Sequence, residues 1–569
     1  MKTIIKTYIK SSRLLKSTIL LVLFIAGSCQ GLLDEDVISR IGSDYMNTAN
    51  GFNDGVNAAY STLRMWYGTE RGNNFTVFGT DTYRQGSDGS WKFINEYTNQ
   101  FDSRTGQLNE IWDEFYRGIN TCNALIDRAP NVTGIADATM DMRLAEVRFL
   151  RAHYYFILVQ LFGGVDLRLT ETLLPTKEIE RSTAAQVYEA IIKDLNEAIP
   201  DLPPVIRSSD YGRVTRPAAE HLLGKVHLTR ATSEAQASDD YAKAEVLLKK
   251  VVSDYGFILL PDYQDVHGFG NEVNDEVIFS VQYTRDPLTN LQNNTNENPV
   301  LNSGNNGHVF FLMEYDIQPG MRRDTENGRP FKRFRPTDYT LNVVFADREN
   351  DARYQKSFKH VFYSNRPGTY NTTFDTSKPS VTFALGDTAM YLPGVEVSSA
   401  VRATKPYQVL TPSLYTDKLY PTLNKFLDPG RADLTQFEGG RDYIAFRLGD
   451  TYLMLGEALF RQGKNAEAAT VVNHVRRRAA FPGKEAAMEV TAADINLEFF
   501  VEERARELLG EQMRWFDLKR WGLLLERVRL HNLDATANIK DHHVLRPIPQ
   551  NQIDRVIGGE ANFPQNPGY

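Results

Sequence analysis

Cysteine is almost absent: Cys29 and Cys122 are the only two in 569 residues, so no disulfide framework holds this chain together. Long apolar runs are missing near the N-terminus, where ILLVLFIA (Ile19 to Ala26) falls far short of the ~20 residues a membrane-spanning helix needs. The ten histidines are scattered apart from the adjacent His542 and His543, whereas a zinc helix places its histidines at i and i+4, so no metal site is expected. Basic charge is in deficit. Without the five basic residues of 1–28 the chain holds 59 basic against 72 acidic residues, a net of −13. Such a chain gains nothing from counterion release on a phosphate backbone, which argues against nucleic acid as a partner. No G-x-S-x-G nucleophile elbow occurs. Six residues separate Gly456 from Gly463-Lys464 where a P-loop has four, and Asn465 replaces the Ser/Thr. There is no twelve-residue calcium loop, so no cofactor is expected; the only Ca²⁺ the sequence admits is one resting on surface carboxylates.

What is present begins with an export signal. Lys2, Lys6, Lys10, Arg13 and Lys16 precede the apolar run, which ends in Ala26-Gly27-Ser28 and then Cys29. Ordinary signal peptidase and a lipoprotein peptidase would both cut before Cys29. A lone cysteine at the cleavage point favours the second, with lipid on its thiol. The acidic Asp34-Glu35-Asp36 that follows reads as a sorting cue for surface exposure or as a charged tether.

Apolar residues recur at helical spacing over 44–66, 106–128, 137–161, 183–200, 215–231 and 239–254, and again over 443–462, 465–479, 492–509 and 512–527. Leu455-Gly456, Gly463 and Ala468 fit the spacing of a tetratricopeptide hairpin, in which small residues sit where the two helices touch; Leu223-Gly224 and Ala244 fit with a longer turn. Gly463 and Gly510 suit left-handed turns that end helices. From 256 to 440 the texture changes: β-prone runs (GFILL, EVIFSVQY, NVVFA, KHVFYSN, VTFAL) alternate with Asn/Gly/Pro/Thr-rich stretches. The fold class is therefore mainly α, a tetratricopeptide-like scaffold of helical pairs with a loop-rich insertion containing a few short strands. Its divisions are a signal peptide (1–28), a tether (29–43), an N-terminal helical region (44–255), the insertion (256–440) and a C-terminal helical region (441–569).

The densest chemistry lies in FFVEERARELLGEQMRWFDLKRWG, Phe499 to Gly522, with ten charged side chains among aromatics. Glu502/Arg506 at i,i+4, and Arg504/Glu507, Glu511/Arg514 and Arg514/Asp517 at i,i+3, read as neighbouring pairs on a helix, worth a few tenths of a kcal/mol each when exposed. The competing role is a glycosidase carboxylate pair. Glu502 and Glu503 are adjacent and point about 100° apart, and arginines beside Glu507 and Glu511 would keep both ionised, where a general acid needs a raised pKa. The stretch reads as scaffold, and the chain as no enzyme. Arg476-Arg477-Arg478 reads as a solvated helix end.

Several blocks now stand in one order: RFLRAHYYFILVQLFGGV (148–165), STAAQVYEAIIKDLNEAIPDLP (182–203), GRVTRPAAEHLLGKVHLTRA (212–231), NDEVIFSVQY (274–283), FRLGDTYLMLGEALFRQGKNAEAATVVNHVRRRA (446–479), the 499–522 stretch and LRPIPQNQI…NFPQNPGY (545–569). In these the chain resembles the SusD/RagB family of outer-membrane nutrient-binding lipoproteins; Asp166 stands where members usually carry Pro. The resemblance implies a lipid-anchored protein on the cell surface. It would seat on a SusC-type TonB-dependent transporter and capture a glycan, or in the RagB branch a peptide, without catalysis.

Sugars offer C–H faces to flat rings and hydroxyls to planar polar side chains. The connection from Tyr67 to Thr105 interleaves both kinds, and family members often place a ligand-stacking Trp in the loop after the first helix. Trp91 is the nearest match, with Tyr67, Asp81, Tyr83, Arg84 and Asn95 around it and Tyr315, Tyr339 and Tyr370 contributed by the insertion. Core packing is the alternative role of each ring. Tyr154, Tyr155 and Trp515, on helices, belong to the core.

Overall fold

The computed structural model describes residues 43–205, 210–286, 304–436 and 438–569. The export signal, Cys29 and the acidic Asp34-Glu35-Asp36 lie outside them. Twelve helices carry the architecture: α1 (Ala49–Ser61), α2 (Lys92–Glu96), α3 (Gly106–Arg128), α4 (Asp137–Phe162), α5 (Ala184–Ala198), α6 (Arg216–Arg230), α7 (Asp240–Ser253), α8 (Leu448–Arg461), α9 (Asn465–Ala479), α10 (Leu497–Glu507), α11 (Arg514–Arg520) and α12 (Leu524–His531).

Consecutive helices pack as hairpins, α3 on α4, α4 on α5, α6 on α7 and α8 on α9, and α7 lies against α8, so that the two halves of the sequence form one scaffold. The small residues sit where the hairpins touch. A Cβ on Gly224 would lie 2.8 Å from Leu248 Cδ2, and one on Gly456 2.5 Å from Val472 Cγ1. Ala244 and Ala468 are fully buried beside them. Helix α5 starts at a capping box: Thr183 Oγ1 accepts from Gln186 N–H, and Gln186 Oε1 accepts from Thr183 N–H. The main core runs from Phe52 to Phe563 and includes Tyr154, Tyr155 and Trp515. A smaller core around Met313, Phe362, Phe383 and Met390 lies wholly within the insertion.

The insertion holds short strands among loops. Strand β1 (Tyr83–Gln85), from the N-terminal region, pairs antiparallel with β3 (Phe334–Pro336), and β2 (Val277–Val281) pairs with β6 (Tyr443–Arg447). The hairpin β4 (Gly368–Asn371) and β5 (Ser380–Phe383) caps the smaller core. Three expectations change. Residues 443–447 are strand, buried throughout against β2, instead of the start of α8. NVVFA is no strand, since Thr340–Val344 makes a π-helical turn. The helix expected over 512–527 breaks at Gly522, whose φ is 73°, into α11 and α12.

The 499–522 stretch departs most from its expected pairing. After Glu507 the chain leaves the helix, passing Gly510 (φ 79°) and Gln512 (φ 57°) before α11 begins. Spacings of i,i+3 across that break are no longer neighbours. Only Glu502–Arg506 forms as expected, at 3.3 Å. Most of the other charges are buried and paired across elements. Arg447, 1% exposed, holds Glu507 at 2.7 Å, Glu511 at 2.8 Å and Glu276 at 3.0 Å. Arg353 holds Glu503 at 2.8 Å and Asp351 at 2.7 Å. Arg504 joins Asp450 at 2.6 Å and Asp517 at 2.9 Å. Arg478 is likewise no solvated end: it is buried against Glu276 and Glu507, while Arg476 reaches Glu503. Burial pushes the Glu507 carboxyl up, but Arg478, Arg447 and Arg353 outweigh it and hold it down at about 2. These carboxylates are ionised pins between α10, β2 and β6.

Candidate functional site

Three of the four non-glycine residues with positive φ among the described residues gather on one rim: Trp91 (58°), Tyr97 (53°) and Lys332 (57°). Such backbone costs on the order of 1 kcal/mol per residue and persists where surrounding structure fixes it, which makes the rim worth building residue by residue. Helix α2 is only five residues long and is bounded by left-handed aromatics at both ends. At its C-terminal end Tyr97 is buried, its hydroxyl donating to Gly79 O at 2.8 Å. At its N-terminal end Trp91 is half-buried, its ring edge-to-face with Phe93 at 5.8 Å between centroids. The loop before it is tied by Asp88 N–H donating to Lys332 O, 3.1 Å, and by the Arg333 guanidinium on Asp88 at 2.9 Å.

Strand β1 runs along this rim. Its pairing with β3 sets Arg84 opposite Arg335, so both side chains leave the same face. Each is met by a carboxylate from elsewhere: Arg84 grips Asp534 through two bonds, 3.0 and 2.5 Å, and Arg335 meets Asp417 at 2.5 Å. Gln85 Nε2 donates to Glu96 Oε1 at 3.1 Å, tying the strand to α2. Arg84, Gln85, Glu96 and Arg335 are all partly exposed. The result is a half-exposed indole at the head of a short helix that packs on β1, a strand whose partly exposed guanidinium and amide groups are held in place by carboxylates.

Trp91 and Arg84 thus lie on the rim. Asn95 lies one layer below: it is fully buried, donates to Asp534 Oδ2 at 3.1 Å and accepts from Asn532 Nδ2 at 2.9 Å, which makes it a positioning residue for Asp534. The other rings near the loop are enclosed, contrary to the expectation that they face a ligand. Tyr67 bonds His153 Nε2 at 2.8 Å and packs on Tyr443. Tyr83 alternates inward from Arg84 and packs edge-on against Phe311. Tyr339 is stacked on His531 at 4.0 Å with the Arg527 guanidinium 4.5 Å from its centroid, and burial pushes its hydroxyl up to about 12. Asp81 is fully buried on Arg514 and Arg527; burial raises its pKa, yet the two guanidinium groups win and it ends below the usual range. Tyr315 is fully buried in the smaller core, its hydroxyl donating to Gly328 O, and half-buried Tyr370 on β4 packs against that same core with its hydroxyl on Arg366 O. Sequence reasoning missed Phe93, Gln85, Glu96, Arg335, Asp417 and Asp534. Phe93 was open to detection two residues from Trp91; Asp534 arrives from 450 positions away and leaves no local signal.

Comparison with known proteins fixes the class. The SusD family model matches residues 275–569, and a second, described as starch-binding associating with outer membrane, matches 40–228. The chain belongs to the SusD family. A SusD-like protein of Formosa agariphila is 24% identical over 465 residues, 81% of this chain and 79% of its own. The starch-binding protein SusD of Bacteroides thetaiotaomicron is 24% identical over 449 residues, 77% of this chain and 74% of its own. A laminarin-binding SusD-like protein of known structure superposes with a TM-score of 0.67 at 23% identity, covering 92% of this chain and all of its own.

Proposed function

We propose that this chain binds an oligosaccharide or polysaccharide at the outer face of the outer membrane and delivers it to a SusC-type TonB-dependent transporter, held there by lipid on Cys29. It acts as a binding protein and not as an enzyme. The observation that carries the reading is Trp91, an indole kept half-exposed in left-handed backbone at the head of a helix that packs on the strand of Arg84 and Gln85. A sugar ring would lay its C–H face on the indole, and its hydroxyls would meet side chains that both donate and accept. Relatives named for starch and laminarin binding, and a family description that places members at the outer membrane, support it. Four carboxylates of 499–522, Glu503, Glu507, Glu511 and Asp517, support a non-catalytic role, since they are buried, held ionised and bound by arginine, which leaves them unable to protonate a leaving group.

Affinity electrophoresis of residues 30–569 against plant, algal and host glycans tests this, with Trp91→Ala alongside. The expected result is that one glycan class retards the wild type, and that the variant binds about 30-fold more weakly or worse, as for an aromatic anchor. Equal retardation of both proteins would keep the function and displace the site. Retardation of neither would remove the glycan and leave peptide capture.

A further inference from the structure

A second cleft, of about 200 Å³, shares no lining residue with the Trp91 rim and lies between the 263–269 turn, the 356–359 segment and Asn424. Four cations line it, and three are answered. Lys356 pairs with Asp262 at 2.8 Å, Lys425 with Glu511 at 2.6 Å, and Arg441 with Glu272 at 2.7 Å. Lys359 is not: among the described residues no carboxylate comes within ion-pairing distance of its ammonium, which lies 5.3 Å from the Phe362 ring. The one carboxylate on the rim, Glu326, is exposed and stands off from it. A half-buried ammonium without a counter-ion is costly, because burial removes water and nothing replaces it. Burial accordingly presses the Lys359 pKa down, with Glu326 and Asp324 opposing it only through longer-range attraction.

The rest of the cleft is suited to a sugar. The side-chain amides of Gln264 and Asn424 make no internal hydrogen bond among the described residues and line the same space. Phe269 stands half-exposed at the mouth, where Arg285 and Arg441 keep its ring in place from 5.3 and 5.9 Å.

We propose that this cleft is a second ligand site, taking a sugar residue that carries an oxyanion, with Lys359 on the carboxylate or sulfate, Gln264 and Asn424 on hydroxyls, and Phe269 on a C–H face. The site is separate from the Trp91 rim and stands whether or not that rim binds glycan. It gives the chain a means of selecting acidic from neutral polymers, because an oxyanion answers the one unpaired cation of the cleft, which a neutral sugar leaves unmet, while Glu326 stays in solvent on the rim.

The test uses residues 30–569 at low salt, titrated with glucuronate, glucose 6-sulfate, glucose and inorganic sulfate by ligand-observed NMR. Both acidic sugars are expected to bind, with glucose at least about tenfold weaker, the cost of leaving a charged partner unmet. Lys359→Gln should weaken both acidic sugars about tenfold, and Lys359→Arg should keep them within about threefold. The carboxylate and sulfate arms separate the two sources of the oxyanion. Glucose binding as well as glucuronate, or Lys359→Gln binding as well as wild type, overturns the proposal. Inorganic sulfate matching both acidic sugars overturns the sugar class. Loss of polysaccharide retardation in wild type would sink the Trp91 reading alone.

Discussion

Arg447 and Arg84 both end in a guanidinium gripped by carboxylates, yet they sit in regions that differ in exposure and in how many partners each charge has. Around Arg447 the charges are almost wholly buried, every carboxylate meets more than one cation, and the partners come from β2, β6, α9 and α10. Around Arg84 the same chemistry is partly exposed, each pair is single, and the helix headed by half-buried Trp91 packs on the same strand. In the first region ion pairs lock elements whose desolvated charges have nowhere else to go. In the second they hold polar groups in place while leaving them able to meet a ligand. A charged, aromatic-rich sequence therefore decides nothing by itself; what separates scaffold from recognition surface is whether solvent can still reach the groups.

The largest test of that contrast removes one guanidinium from each region. Arg447→Met leaves Glu276, Glu507 and Glu511 short of a partner in a dry interior, and should cost about 3–5 kcal/mol. Arg84→Met should cost less, about 1–2 kcal/mol, because Asp534 keeps its bond from Asn95 and some solvent. Thermal unfolding of residues 30–569, followed by circular dichroism, measures both. Equal losses would collapse the distinction.

Acid gives the next effect. With Glu507 held at about 2 against an ordinary value of ~4.3, its stabilisation is fully present above pH ~4.3 and is lost as pH falls from there through about 2. That carboxylate alone contributes roughly 3 kcal/mol, and Glu503 and Glu511 shift in the same direction. The urea midpoint should be level from pH 6 to 5 and drop steeply between pH 4 and 3. A midpoint unchanged at pH 3 would mean the network is not what pins α10 to β6.

Helical spacing made most of the scaffold legible, because helix pairs repeat a local pattern: Gly224 and Gly456 could be placed at hairpin contacts from their neighbours alone. The 499–522 stretch misled in two ways: Gly510 and Gln512 break the helix where Glu511 and Arg514 would have paired, and within α10 and α11 Arg504, Glu507, Arg514 and Asp517 take partners from other elements instead of their helical neighbours. The site was half legible for a related reason. Trp91 and Arg84 lie in a loop whose composition announces exposure. Tyr83, next to Arg84, looks equally available in sequence and is turned inward by strand alternation that only the pairing with 334–336 establishes. Tyr315 failed as a candidate because it packs in the smaller core, and Tyr339 because it joins the main core against His531, a partner far away in sequence.

The smallest expected change is the most discriminating. Trp91→Gly removes the indole but also relieves left-handed backbone, which costs a non-glycine residue on the order of 1 kcal/mol and glycine almost nothing. The lost packing of a half-buried ring against Phe93 works in the other direction, so the net stability change should stay within about 1 kcal/mol. Glycan retardation, in contrast, should vanish as it does for Trp91→Ala. If Trp91→Gly unfolds the rim, seen as a loss of several kcal/mol or as new proteolytic cleavage near Ser90, then Trp91 belongs with Arg447 as scaffold. If stability holds and binding goes, the strain at residue 91 is maintained for the ligand, because nothing in the folding of the loop requires that ring.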